Sequence, residues 1–212
     1  MTPGGRTDGR SARWAEHRRA RRLEFVTAAV VSVRRTGPEL AVDDVARTAG
    51  VSKTVLYRYF SDKDELVDAV LDQISTEILL PRLLGELAID RATDRDRLRA
   101  VVAAFIGIVE AEPALYRFAY AQAGRAGRAD LVAQTEREVA EALAWVMAER
   151  LAELGRGPEG TSTWAYGVVG MVQLAAHWWS GERSVPAADL VDQLTALAWG
   201  GIGSLLPPGS AD

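Results

Sequence analysis

The chain has 212 residues, of which 48% are hydrophobic and 25% are charged, and its formal net charge is −4. This length is sufficient to bury a hydrophobic core in one or two domains. The absence of cysteine excludes disulfides, thiolate nucleophiles and thiolate metal sites. The chain has only two histidines, His17 and His177, which leaves little material for metal or triad chemistry. We therefore expect neither an enzyme nor a bound cofactor or metal.

The sequence also gives no sign of export or membrane insertion. The first twelve residues are polar and lack the apolar stretch of a secretory signal. Apolar runs such as residues 164–179, which carries Gln173 and His177, are shorter than a membrane span requires. We therefore expect a cytoplasmic protein with no membrane partner.

Charge is distributed unevenly along the chain. Residues 1–60 contain 12 Lys and Arg against 6 Asp and Glu, and the remainder contains 13 against 23. A basic first quarter joined to an acidic body suggests a small domain that faces nucleic acid. A basic tail with no partner is the alternative at this stage.

Helical periodicity dominates, and no segment alternates with the period of a strand. Gly37-Pro38 is expected to end a first helix, and Ser52 to cap a short one. The spacings Ser61/Asp64 and Thr93/Asp96 predict capping boxes. The helices are predicted over residues 13–35, 43–49, 52–60, 61–81, 93–109, 113–120, 129–154, 162–180 and 186–205, with a small-residue stretch at 124–127.

Residues 43–60 have the layout of a helix-turn-helix, with two short helices and a glycine in the turn. Gly50 permits a left-handed turn, and Val51 can fill the corner. Leu56 and Phe60 share a stripe that can pack on the preceding helix. The opposite face carries hydroxyl, phenol and cationic groups, which suit phosphates and base edges.

The stretch from Phe25 to Leu66 resembles the DNA-binding domain of TetR-family transcriptional regulators. The residues that carry the resemblance are Ala28-Ala29, Gly37, Val45-Ala46, Ala49-Gly50-Val51-Ser52, Leu56-Tyr57, Tyr59-Phe60, Lys63 and Leu66. The resemblance implies DNA contacts from Ser52, Lys53, Thr54, Tyr57, Arg58, Tyr59 and Lys63. Among these, the cations Lys53 and Arg58 suit base readout, because they can pair with guanine. Tyr57, Tyr59 and Lys63 suit phosphate.

One position departs from the family pattern, since Ala41 stands where many relatives have a capping Thr or Ser. Asp43 and Asp44 favour a helix N-terminus but would repel phosphate if they faced DNA. The arginines between Arg18 and Arg22 could compensate by contacting DNA, or they could simply form a solvated helix face.

The resemblance further implies that the C-terminal bundle binds a small molecule and dimerises through its last two helices. The segment 162–180 is apolar nearly all round, as a buried dimer helix requires, although a monomer core would look the same. Candidate pocket residues are aromatic, sulfur-containing or imidazole side chains in these helices, although side chains of this kind at helical spacing more often belong to the core. They are Phe105, Tyr116, Phe118, Tyr120, Trp145, Met147, Trp164, Met171 and His177.

Together these observations predict an all-α protein. We expect a flexible basic tail (1–12), a three-helix helix-turn-helix domain (13–62), a ligand-binding and dimerisation bundle (63–206) entered by a fourth helix, and a flexible tail (207–212). The expected function is that of a homodimeric repressor on a near-palindromic double-stranded DNA operator, released by a mostly hydrophobic effector. The alternatives are a helical ligand-binding protein with a vestigial helix-turn-helix and a nonspecific DNA-coating protein. The acidic body argues against the latter.

Overall fold

The computed structural model describes residues 8–123 and 129–202. The elements in this part of the chain are helical, as expected, and none is a strand. They are α1 (Asp8–Thr36), α2 (Val42–Thr48), α3 (Lys53–Leu56), α4 (Lys63–Gln73), a π-helical segment (Ile74–Leu79), α5 (Leu80–Ala88), α6 (Asp94–Ala111), α7 (Pro113–Ala123), α8 (Ala129–Glu153), α9 (Thr161–Glu182) and α10 (Ala187–Ile202).

The first helix begins earlier than predicted, because residues 8–12 continue it rather than form part of a tail. The predicted tails at 1–7 and 207–212 and the stretch 124–127 lie outside the described residues. Helix α3 ends at Leu56 instead of Phe60, and residues 57–59 follow it as turns. The amide of Tyr59 donates to the Leu56 carbonyl at 2.9 Å. This hydrogen bond reaches back three residues and not four, as in a 3₁₀ turn, so the chain tightens after α3.

The capping box before α4 is shifted by one residue from its predicted position. Asp62 is the N-cap, and its carboxylate accepts the Glu65 amide at 2.8 Å. The Glu65 carboxylate accepts the Ser61 amide at 2.7 Å. This backbone hydrogen bond lowers the pKa of Glu65. At the second predicted box Thr93 is the N-cap, as expected, and its hydroxyl accepts the Asp96 amide at 3.0 Å and donates to the Asp96 carboxylate at 2.8 Å.

The helix that enters the bundle does not end at Pro81, contrary to the prediction. It passes through the π-helical segment and continues as α5, with Pro81 in the first turn of α5. A proline removes one amide donor and crowds the carbonyl four residues earlier. The wider π turn immediately before it shifts the hydrogen-bond pattern, which lets the chain continue as a helix.

Two large hydrophobic clusters organise the molecule. The first, which we call the N-terminal core, joins α1–α4 around Phe25, Val45, Leu56 and Phe60 and includes two residues of α7. The second lies between α6, α8, α9 and α10 and contains Trp179, which is 1% exposed. Within residues 8–123 and 129–202, no helix is both long and apolar enough to cross a membrane.

Candidate DNA-binding surface and ligand cavity

The turn between α2 and α3 has the geometry that its sequence predicts. Gly50 adopts φ +66°, a left-handed conformation that side chains with a Cβ resist. The next amide, of Val51, donates to the Ala46 carbonyl at 2.9 Å and closes the turn. Ala46 is buried, while Val51 is partly buried against the same N-terminal core as Leu56. The turn therefore fixes α3 across α2.

The outer face of α3 and its following turn is exposed, as a DNA-binding surface requires. The exposed side chains on it are Ser52, Lys53, Thr54, Tyr57 and Arg58, and Lys63 is exposed at the start of α4. Tyr59 differs, because its ring packs edge-to-face on Phe25 with centroids 5.1 Å apart.

Two arginines of α1 hold the C-terminal end of this surface. Arg18 donates to the Arg58 carbonyl at 3.3 Å. Arg22 donates to Glu65 at 2.9 Å, and its guanidinium lies 4.4 Å from the Phe60 ring centroid. These contacts give Arg18 and Arg22 a positioning role that the sequence did not reveal.

The two acidic residues of α2 are each paired with a cation. Asp43 lies 2.7 Å from the ammonium of Lys53, and Asp44 lies 2.6 Å from Arg47. Helix α2 begins after Ala41 without a side-chain cap. The departure from the family pattern at this position therefore leaves the N-terminus of α2 without a capping hydroxyl. The Asp43–Lys53 pair stands on the candidate DNA-binding surface itself.

We expect Asp43→Asn to raise affinity for operator DNA by about two- to fivefold near 0.1 M salt. The change frees Lys53 and removes an anion that repels phosphate, and exposed ion pairs of this kind contribute about 0.2–1 kcal/mol. Fluorescence anisotropy with labelled DNA would measure the change, and Asp90→Asn in the α5–α6 loop is the control. A weaker complex would mean that Asp43 itself takes part in recognition.

A cavity of about 670 Å³ opens into the bundle and is lined by α4, the π-helical segment, α5, α6, α7, α8 and α9. This volume falls within the range of about 300–1,000 Å³ that is typical of small-molecule sites. Its wall is mostly aliphatic, with Leu98, Val102, Leu143 and Val168 among the buried contributors. Such a wall favours an apolar ligand.

The cavity touches the N-terminal core directly. Leu71 of α4 and Leu115 of α7 line the cavity and also belong to that core. A third connection is ionic, since Glu112 lines the cavity and holds Arg34 of α1 through two hydrogen bonds of 2.8 and 2.9 Å. Leu71, Leu115 and Glu112 therefore connect the cavity wall directly to the helices of the N-terminal core.

Several polar side chains line the cavity. Gln173 donates to Glu136 at 2.6 Å, and the hydroxyls of Ser75 and Thr135 lie 2.8 Å apart. The Tyr116 hydroxyl is buried and finds no hydrogen-bond partner among the described residues. Burial, with the negative charge of nearby groups adding to it, raises the pKa of Tyr116, so the phenol remains protonated.

Two family models match the sequence. The model of bacterial regulatory proteins of the tetR family matches residues 25–70, and the tetracyclin repressor-like C-terminal domain matches residues 86–206. The chain belongs to the TetR family. The first match spans the helix-turn-helix, and the second spans most of the bundle that encloses the cavity.

Relatives and solved structures agree with the assignment of this chain to the TetR family. An uncharacterized HTH-type transcriptional regulator of Mycobacterium tuberculosis is 36% identical over 97% of this chain and 87% of its own length. The HTH-type transcriptional activator FasR of Mycolicibacterium smegmatis is 31% identical over 84% of this chain and 80% of its own length. FadR from Bacillus subtilis, solved in complex with stearoyl-CoA, has a TM-score of 0.67 at 15% identity, covering 83% of this chain and 96% of its own. The protein is therefore a TetR-family, DNA-binding transcriptional regulator.

The structure of this TetR-family regulator separates the candidate pocket residues into groups. Phe105, Tyr116 and Tyr120 line the cavity. His177 lies behind the wall and stacks on Tyr120 at a centroid distance of 3.4 Å. The remaining candidates lie away from the wall: Phe118 in the N-terminal core, Trp145 on the surface at 62% exposure, and Met147, Trp164 and Met171 partly buried against the bundle core.

Sequence reasoning missed most of the wall of this TetR-family cavity, because most of it is aliphatic. It also missed the polar members Ser75, Glu112, Thr135, Glu136 and Gln173. A usable signal exists for Gln173, since it is a polar residue within the apolar run of residues 164–179.

Proposed function

We propose that the protein is a homodimeric repressor that binds a near-palindromic operator and is released when a mostly hydrophobic small molecule enters the bundle. The observation that carries this proposal is the cavity wall shared with the N-terminal core through Leu71 and Leu115. Ligand and DNA can each favour a different arrangement of these shared contacts, which is the condition for a population shift. A solved relative in fold holds stearoyl-CoA, which supports an acyl-type effector here.

Exposed apolar surface on the last two helices supports the homodimer. Leu174 and Trp178 of α9 are four residues apart, at 69% and 47% exposure. Leu197 of α10 is 65% exposed. Large apolar side chains left in water along one helix face are typical of an interface. A dimer would place two α3 helices on half-sites about 34 Å apart or a multiple of that distance.

The proposal is tested by anisotropy with DNA that flanks the protein's own gene, using the full chain. We expect saturable binding by two chains per site, at least tenfold tighter than to scrambled DNA. Lys53→Ala and Tyr57→Ala should each weaken binding about tenfold, and Lys53→Ala should lower the slope of log affinity against log salt by about 1. Arg82→Ala, which removes an exposed cation of α5, is the matched control.

Equally weak binding to both DNAs, unchanged by either substitution, would contradict the operator-reading function. It would favour a ligand-binding protein with a vestigial helix-turn-helix. In vitro transcription from the bound promoter decides the direction of regulation, since one relative is named an activator. Lower transcript yield with bound protein is the expected outcome, and a higher yield would overturn the repressor assignment.

A further inference from the structure

The ionisable side chains of the cavity wall are acidic. Among the described lining residues they include Glu112 and Glu136 but no Lys, Arg or His. Arg34 compensates the charge of Glu112 through two hydrogen bonds. Glu136 is bound by the neutral amide of Gln173, so this region of the wall carries negative charge. A ligand carboxylate would meet a like charge there, at a place where partial burial weakens screening by solvent.

One hydrogen-bond donor on the wall is unused. The Tyr116 hydroxyl is buried without a partner among the described residues, and a buried polar group left unpaired is unfavourable. Its ring is fixed by neighbours, with the centroids of Phe105 and Tyr120 each 6.3 Å away. Tyr120 is itself held by the stacked His177. The phenol is therefore a positioned donor on a side chain that lines a mostly aliphatic cavity.

We propose that the cavity selects an amphiphile whose long apolar part fills the aliphatic wall and whose uncharged carbonyl, as in an ester, thioester or amide, accepts the hydrogen bond of Tyr116. The free carboxylate of the same chain is rejected because of Glu136. This selection rests on the proposed function, since it assumes that the cavity is the effector site. The cavity would thus distinguish an acyl chain held in an ester, thioester or amide from the corresponding free fatty acid.

The test uses three probes with the same C12 chain: methyl laurate, laurate and dodecyltrimethylammonium, all below micelle-forming concentrations. Each displaces an apolar fluorescent dye from the full-length protein at pH 7.5. Methyl laurate is expected to displace the dye at a concentration at least tenfold lower than laurate, which meets Glu136, and lower than dodecyltrimethylammonium, which offers Tyr116 no acceptor. Tyr116→Phe should weaken methyl laurate about five- to tenfold and leave laurate nearly unchanged. Glu136→Gln should strengthen laurate and reduce the difference to less than threefold.

Matched controls are Tyr166→Phe on α9 and Glu138→Gln on α8, which lie outside the cavity wall and should alter none of the three probes. Equal or tighter binding of laurate, or no effect of Tyr116→Phe, overturns the selection while leaving the effector site intact. Tightest binding of the ammonium would reveal a cation site and also overturns it. If no probe displaces the dye, the apolar effector site of the proposed function fails as well.

Discussion

Val102→Phe is expected to lower affinity for methyl laurate at least 50-fold while leaving operator binding unchanged. Val102 is 2% exposed and lines the cavity from α6. The larger side chain would occupy space that a ligand needs, at a position outside the N-terminal core. Dye displacement measures ligand binding, and anisotropy with operator DNA measures the second property.

Thermal unfolding provides the control for this substitution. Val191 of α10 is 5% exposed in the same bundle core but does not line the cavity. Because Val191 does not line the cavity, Val191→Phe should overpack the core and destabilise the protein by about 1–3 kcal/mol, which lowers Tm by about 2–10 °C. Val102→Phe should leave Tm unchanged or raise it, because it fills a void. An equal loss of Tm in both variants would mean that the cavity cannot hold a larger side chain.

Breaking the Arg34–Glu112 ion pair is expected to uncouple the two sites. Coupling between an effector and a second ligand is typically about 5- to 150-fold in affinity. In Arg34→Gln or Glu112→Gln, we expect methyl laurate to change operator affinity by less than threefold. Methyl laurate and operator DNA should each still bind to these variants in the absence of the other. The reason for the loss of coupling is that this pair joins the cavity wall to α1, whose residues Arg18 and Arg22 hold the DNA-binding surface. Operator titrations with and without methyl laurate measure the coupling.

The exchange Arg34→Glu with Glu112→Arg should restore most of the coupling, which a general loss of stability would not allow. Arg99 and Asp192 form a comparable ion pair of 2.8 Å between α6 and α10, and Arg99→Gln is the control that should retain the full response. Wild-type coupling in both single variants would assign the linkage to the shared side chains Leu71 and Leu115 instead.

The helix-turn-helix was predictable because its determinants are local. Gly50 has the positive φ that its place in the turn implies, and Thr93 caps the helix that its spacing predicted. Local rules failed where two of them competed. Ser61 and Asp62 both suit an N-cap, and the structure selects Asp62. Pro81 reads as a helix end, but the preceding π turn lets the helix continue.

The wall of the cavity could not be predicted in the same way, because it depends on how helices distant in sequence meet. Phe118 and Tyr120 are two residues apart on α7, yet Phe118 is fully buried in the N-terminal core and Tyr120 lines the cavity. Trp145 belongs to a helix of the same bundle and points to solvent. Periodicity gives the faces of a helix but not the neighbour that each face meets.

The contribution of α7 to the N-terminal core has a consequence for protein engineering. Leu115 and Phe118, at 2% and 0% exposure, complete that core from α7, which is separated from α4 by residues 74–112. If the helix-turn-helix domain were cut at residue 62 and fused to another protein's ligand-binding domain, the apolar surface on which these side chains pack would be exposed. A working chimera therefore needs a helix in the ligand-binding domain that presents the same apolar face as α7. In this protein the DNA-binding domain should be transferred together with α7.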